Sequence, residues 1–212
     1  MILFKIKKYG DEMEKKKDLF ENKSKTWDTE SGSAQSAKGI ADLIVKNIKL
    51  NDSMEIMDFG AGTGLLSYFV APYVQKIIAV DNSPAMLLEF KSKTFPIETE
   101  VLEKDLSVEE IDRKVDGVIS SMTLHHLEDT RALFSKFYVM LNDGGFIALA
   151  DLDMEDGSFH SDNTGVFHYG FDRDSLQSLA QKVGFKEVKF ETASTIDKPK
   201  GIYRVFLMTG MK

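Results

Sequence analysis

The chain has 212 residues, 42% of them hydrophobic, and a formal net charge of −7, which is enough material for one sizeable core and short for two. The acidic balance opposes a DNA or RNA partner, whose phosphates call for clustered Lys and Arg, and the absence of Cys removes disulfides, thiolate metal sites and cysteine nucleophiles. No run approaches the about 18 apolar residues of a membrane span, and "MILFKIKKYGDE" lacks a signal-peptide core, so a cytoplasmic monomer or homodimer without a membrane span is expected.

In chain order, residues 1–32 read as an extension and cap segment, and the charged stretch "MEKKKDLFENKSKTWD" (13–28) is expected to be helical. Phe20 and Trp27, seven residues apart, would share one helical face. From Ser33 the apolar positions Ile40, Leu43, Ile44 and Ile48 follow helical spacing until "NDS" (51–53) breaks it. β-Rich runs at 54–59, 76–80, 98–102, 115–120 and 145–150 then alternate with helical segments at 65–70, 84–93 and 130–141 and with a short acidic turn near 108–111. Nearly continuous apolar strands joined by helices imply right-handed crossovers and a parallel sheet covered on both faces. After a helix over 172–185, two runs at 186–192 and 203–209 with no helix between them predict an antiparallel hairpin at the end of the sheet. The expectation is one doubly wound, mostly parallel seven-stranded α/β domain over residues 33–212.

The segment "MDFGAGTG" (57–64) leaves the first strand with glycines at 60, 62 and 64. In such sheets ligands lie beyond the carboxyl ends of the strands, where the strand order reverses, and glycine lets a ligand lie directly on the backbone. A dinucleotide fingerprint spaces its glycines G-x-G-x-x-G; here the third falls one residue early, which disfavours a pyrophosphate and a nicotinamide-dependent oxidoreductase. Asp81, ending the next strand in "AVDNS", is placed to accept hydrogen bonds from both hydroxyls of one ribose. In "EKDLS", Asp105 is placed to accept from an adenine amino group.

"MDFGAGTG", "VDNSPAML", "EKDLS", "VISSMTLHHLED" and "LNDGGFIALADLD", in that order, resemble the motif set of the class I S-adenosylmethionine-dependent methyltransferases, and within them the small-molecule group that includes the ubiquinone and menaquinone biosynthesis enzymes. The resemblance implies a Rossmann-like methyltransferase fold with S-adenosyl-L-methionine as cofactor. It also implies that Asp58 and the backbone of Gly60, Ala61, Gly62, Thr63 and Gly64 hold the methionine moiety, and that Asp81 holds the ribose, with the neighbouring Asn82 among the cofactor-binding residues. Met86 and Leu106 would flank the adenine, Asp105 would meet its amine, and Ser121 and Met122 would line the channel near the sulfonium. Residues 18–28 are expected to close over the cofactor.

Transfer from a sulfonium needs alignment of the acceptor and exclusion of water, and a base only where the acceptor carries a proton. His125 and His126, just after the fourth strand, stand where an acceptor approaches or else pack the turn. "DLDMEDGSFHSDN" (151–163) reads as a solvated acidic loop, and no metal is expected. The connection 159–172, rich in aromatic rings, reads either as a lid over the acceptor, with His168 and Tyr169 as catalytic or orienting groups, or as a satellite cluster. The function expected is methyl transfer to a small organic acceptor; the alternative is a non-catalytic S-adenosylmethionine-binding adaptor of the same fold.

Overall fold

A computed structural model of the chain describes Asp18, residues 20–29 and residues 32–212. Seven strands form one sheet in the order β3-β2-β1-β4-β5-β7-β6. They are β1 (Glu55–Phe59), β2 (Lys76–Asp81), β3 (Glu98–Glu103), β4 (Val115–Ser121), β5 (Leu141–Leu152), β6 (Lys186–Lys198) and β7 (Gly201–Met211). Pairings among β1 to β5 are parallel, and β7 runs antiparallel between β5 and β6. The strand order reverses between β1 and β4, so a crevice opens at the carboxyl tips of those two strands.

Among the described residues five α-helices cover the sheet: α1 (Ser33–Asn47), α2 (Leu65–Val70), α3 (Pro84–Ser92), α4 (Thr130–Met140) and α5 (Arg173–Val183). Successive strand residues face opposite sides. Met57, Ile78 and Val118 pack with Phe134, Phe137 and Leu176 of α4 and α5. Ile56, Ile77 and Ile119 pack with Ile40, Ile44, Leu66 and Val70 of α1 and α2. Burial on both faces is why the central strands read as unbroken apolar runs.

Local signals set the helix starts at the crevice. Ser83 caps α3 by accepting from Met86 N at 3.1 Å, with Pro84 in the first turn. Asp129 caps α4 by accepting from Ala132 N at 2.8 Å, and Asp172 caps α5 by accepting from Ser175 N at 2.9 Å.

Three expectations are corrected. β5 starts at Leu141, directly after α4, because "NDGG" is absorbed as a register shift between Val115 and Gly117 of the neighbouring strand. The hairpin strands run longer than expected and turn at Pro199 and Lys200. Among the described residues of the charged stretch, 20–26 form consecutive turns and Trp27–Thr29 one turn of 3₁₀ helix. Phe20 and Trp27 still meet edge to face, with ring centroids 6.5 Å apart. Residues 1–17, and with them the extension and the start of the expected helix, lie outside the described residues.

Candidate active site

The glycine loop leaves β1 at the crevice, and its three glycines answer to different constraints. A Cβ on Gly60 would overlap the Thr123 side chain, and one on Gly64 would lie 2.5 Å from the Phe90 ring. Internal packing alone demands those two. At Gly62, with φ of +54°, a Cβ would meet nothing nearer than the Met86 sulfur at 4.0 Å. The fold leaves open space above that backbone, bounded by the buried side chain of Met86.

Asp81, at the tip of β2, accepts from Gly62 N through Oδ2 and from Ser83 N through Oδ1, both at 2.8 Å. Burial raises its pKa, opposed by these backbone donors. Asp58 lies beneath the loop, 1% exposed, with Oδ2 accepting from the Ser67 hydroxyl at 2.6 Å. Burial pushes its pKa up to about 7, beyond what the Ser67 hydrogen bond recovers. Leu106 is buried. Asp105 Oδ1 accepts from the amide and the hydroxyl of Ser107, so part of its carboxylate shapes the turn after β3. Asn82 is exposed and Ser121 half-buried. Met122 follows at φ +58°, an uncommon conformation for a side chain this large, with its N–H on the Ala150 carbonyl at 2.9 Å.

The cap is docked across this edge. Asp18 Oδ2 accepts from the Ser83 hydroxyl at 2.8 Å and from Ala85 N at 3.3 Å. Asp28 accepts from the Thr63 hydroxyl and pairs with Lys93 Nζ, both at 2.5 Å. Phe20 lies edge-on to His126, with centroids 5.5 Å apart. These contacts set the described part of the cap at the strand-tip edge.

Beyond the β4 tip the structure assembles a cluster of histidines. His125 is 1% exposed, and its Nδ1 lies 2.8 Å from Oδ1 of Asp151, which is 0% exposed near the end of β5. His126 donates from Nδ1 to the Gly165 carbonyl at 2.7 Å. The His160 ring completes the group, with centroids 5.1 Å from His125 and 5.8 Å from His126, while His125 and His126 lie 4.1 Å apart. The pKa values of His126 and His160 are both lowered to about 4, first by burial and then by electrostatic repulsion from the neighbouring His125. Among the described residues no group of three or more His, Cys, Asp or Glu is arranged to hold a metal ion.

The Phe167 and His168 amides donate to the His125 carbonyl at 2.9 and 3.2 Å, but the side chains of His168 and Tyr169 make other contacts. His168 Nε2 donates to the Leu127 carbonyl at 2.8 Å and the ring packs on Phe171, while Tyr169 is 46% exposed. The rings of the 159–172 connection divide accordingly: Phe159 and Phe171 are buried in the two cores, and Phe167 and Tyr169 face outward. This connection brings to the site the His160 ring, the Gly165 carbonyl and the amides of Phe167 and His168. Asp151 and His160 escaped the sequence reading because both sit in a stretch that looks like solvated acid. The adjacency of β4 and β5 carried the missing signal, since it sets Asp151 beside a residue just past the β4 tip.

The open backbone at Gly62, the strand-tip carboxylate of Asp81 and the buried Met86 and Leu106 fit an adenosine-bearing ligand that carries a methionine tail. A family model described as a methyltransferase domain matches residues 33–189. An uncharacterised methyltransferase of Schizosaccharomyces pombe is 30% identical over 174 residues, covering 73% of this chain and 59% of that protein; the chain thus spans about three fifths of that relative. Among solved structures, a chain from the complex between the Haloferax volcanii Trm112 methyltransferase activator and a methyltransferase superposes with a TM-score of 0.74 at 15% identity, covering 92% of this chain and 98% of that one. Phosphoethanolamine N-methyltransferase 2 of Haemonchus contortus superposes with a TM-score of 0.66 at 16% identity, covering 92% and 59%. With the family model spanning most of the sheet and the motifs falling at its strand tips, the chain belongs to the class I S-adenosylmethionine-dependent methyltransferases.

Proposed function

We propose that this chain transfers a methyl group from S-adenosylmethionine to a small organic acceptor. The observation that carries the reading is the enclosure of the strand-tip edge by the chain itself: Phe20 roofs His126, and Gly165 of the 153–172 connection is tied to the same imidazole. A roof of this kind suits a compact acceptor better than a polymer, and a net charge of −7 disfavours a nucleic acid.

When bound, S-adenosylmethionine supplies an electrophilic methyl group whose leaving group is a neutral thioether. The glycine loop and Asp81 would hold its nucleoside, and Met86 and Leu106 would supply apolar contact. Asp18 and Asp28 pin the cap above, and Phe20 with the buried imidazoles keeps water from the transfer. The test is formation of S-adenosylhomocysteine by the purified chain across a library of small metabolites. Turnover with several related small molecules supports the reading; turnover with protein or RNA alone refutes it. The superposition on a chain solved with Trm112 favours a second arm of the assay in which a Trm112 protein is added. Turnover only in that arm would make the chain one half of a two-protein enzyme.

A further inference from the structure

Resting on the small-acceptor reading, we propose that His125 is the general base of the transfer, positioned by Asp151, and that the acceptor is a neutral O–H or C–H acid such as a phenol or an enol. An amine presents its own lone pair and does not call for such a base.

The tautomer follows from the hydrogen bonds. Asp151 Oδ1 accepts from Leu152 N at 2.7 Å and Oδ2 from His125 N at 3.2 Å. Backbone amides only donate, so both oxygens serve as acceptors, and the third partner, His125 Nδ1, carries the proton it shares with Oδ1. The lone pair of His125 is therefore on Nε2.

That Nε2 is buried without a partner. Among the described residues three buried side-chain polar atoms have none: His125 Nε2, His160 Nε2 and Asn163 Oδ1. Two lie in the histidine cluster, and the third is on the loop that carries His160. A buried polar atom left unpaired is costly, and a histidine that merely packed its turn would have both nitrogens satisfied. Here one nitrogen is fixed by a buried carboxylate and the other is left bare, on the turn Leu124–His126 that follows the β4 tip.

Burial holds the imidazoles next to His125 neutral. The neighbours of His125 are Asp151 from β5, His126 from its own turn, His160 from the following loop and His168, whose amide donates to the His125 carbonyl, with the charges of Lys23 on the cap and Lys198 on β6 also acting on His160. His126 and His160 both stay neutral near pH 7, so neither competes for the proton. In the transfer the acceptor oxygen or carbon forms its bond to the methyl carbon as the methyl–sulfur bond breaks with its electron pair going to sulfur. The acceptor proton passes to His125 Nε2. The resulting imidazolium is held by Asp151 and releases its proton to solvent after the product leaves.

Two measurements on the full chain test this. The first is ¹⁵N–¹H long-range NMR of the S-adenosylhomocysteine complex titrated with catechol, acetylacetone or phenethylamine as probes. His125 is expected as the Nδ1–H tautomer, with its Nε2 resonance moving on addition of catechol or acetylacetone. An Nε2–H tautomer, or no movement with either probe, overturns the proposal. The second is initial-rate kinetics: His125→Gln should lose about 10²-fold or more in kcat for the O–H or C–H probe, with KM and S-adenosylhomocysteine affinity unchanged. Asp151→Asn should likewise lower kcat and switch the His125 tautomer. Equal turnover in wild type and His125→Gln, or turnover of the amine alone, overturns it. If wild type methylates no small probe, the small-acceptor reading fails, and the NMR titration still decides the base. It also decides should His125→Gln not fold.

Discussion

Replacing Gly62 with Ala separates the two roles that glycines play in this loop. The new methyl group would have 4.0 Å to its nearest neighbour, so the fold loses only the left-handed backbone preference at φ +54°, about 1 kcal/mol. For a chain of this size that lowers Tm by roughly 2–4 °C. The same methyl group fills the space in which the cofactor should lie against the backbone. Overpacking there costs about 1–3 kcal/mol, a roughly 5- to 150-fold loss of S-adenosylhomocysteine affinity by calorimetry. Gly64→Ala is the control, because its Cβ would sit 2.5 Å from the Phe90 ring. It combines overpacking with a left-handed backbone for about 2–5 kcal/mol of lost stability. Wild-type affinity in a folded Gly62→Ala protein would refute the placement of the cofactor above this loop.

Asp81→Ala should weaken S-adenosylmethionine binding by about 2–3 kcal/mol, roughly 30- to 150-fold in calorimetry, through loss of hydrogen bonds to a charged acceptor; unchanged affinity would move the nucleoside elsewhere. For Asp58, with a folded pKa of about 7 against the ordinary 3.8 of an aspartate, the native state holds more protons between those values, so ligand-free stability should fall as pH rises from about 4 to 7. Thermal denaturation of Asp58→Asn should show a weaker fall. Cationic S-adenosylmethionine should bind more tightly as pH rises through 7, because it favours the ionised carboxylate, and Asp58→Asn should flatten that slope in calorimetry. Asp28→Ala removes the acceptor for Thr63 and Lys93, so Trp27 emission should change and S-adenosylhomocysteine should dissociate several-fold faster in stopped flow; an unaltered off-rate would make the cap a static appendage.

The sheet was legible because its central strands are buried on both faces, so Ile56, Met57, Ile77 and Ile78 are all apolar and no face is left to solvent. Asp81 and the glycine loop were legible because a strand tip followed by a helix start is a local pattern. The cap was misjudged because its charged composition favours a helix, whereas tertiary partners of Asp18, Phe20 and Asp28 hold the described part in turns. Asp151 lies 26 residues from His125, and nothing local joins them. Its neighbours Asp153, Glu155 and Asp156 gave it the look of a solvated acid, while β7 on one side and the His125 turn on the other bury it completely. His168, set in an aromatic run, promised more than His160, yet its ring nitrogen is used on a backbone carbonyl.

The insertion of β7 between β5 and β6 governs when the site can exist at all. Asp151 pairs in register with Phe206, and Leu152 with Val205, so the strand that carries the buried carboxylate gains its second neighbour only once β7 has been synthesised. During translation the first four strands and the glycine loop emerge well before that partner, leaving β5 as an uncovered edge. The nucleoside half of the crevice can thus take shape on a nascent chain, while the His125–Asp151 pair must wait for sequence more than 50 residues downstream. Vectorial synthesis orders the two halves of the site in time: a place for the methyl donor first, and the group that would accept the proton last.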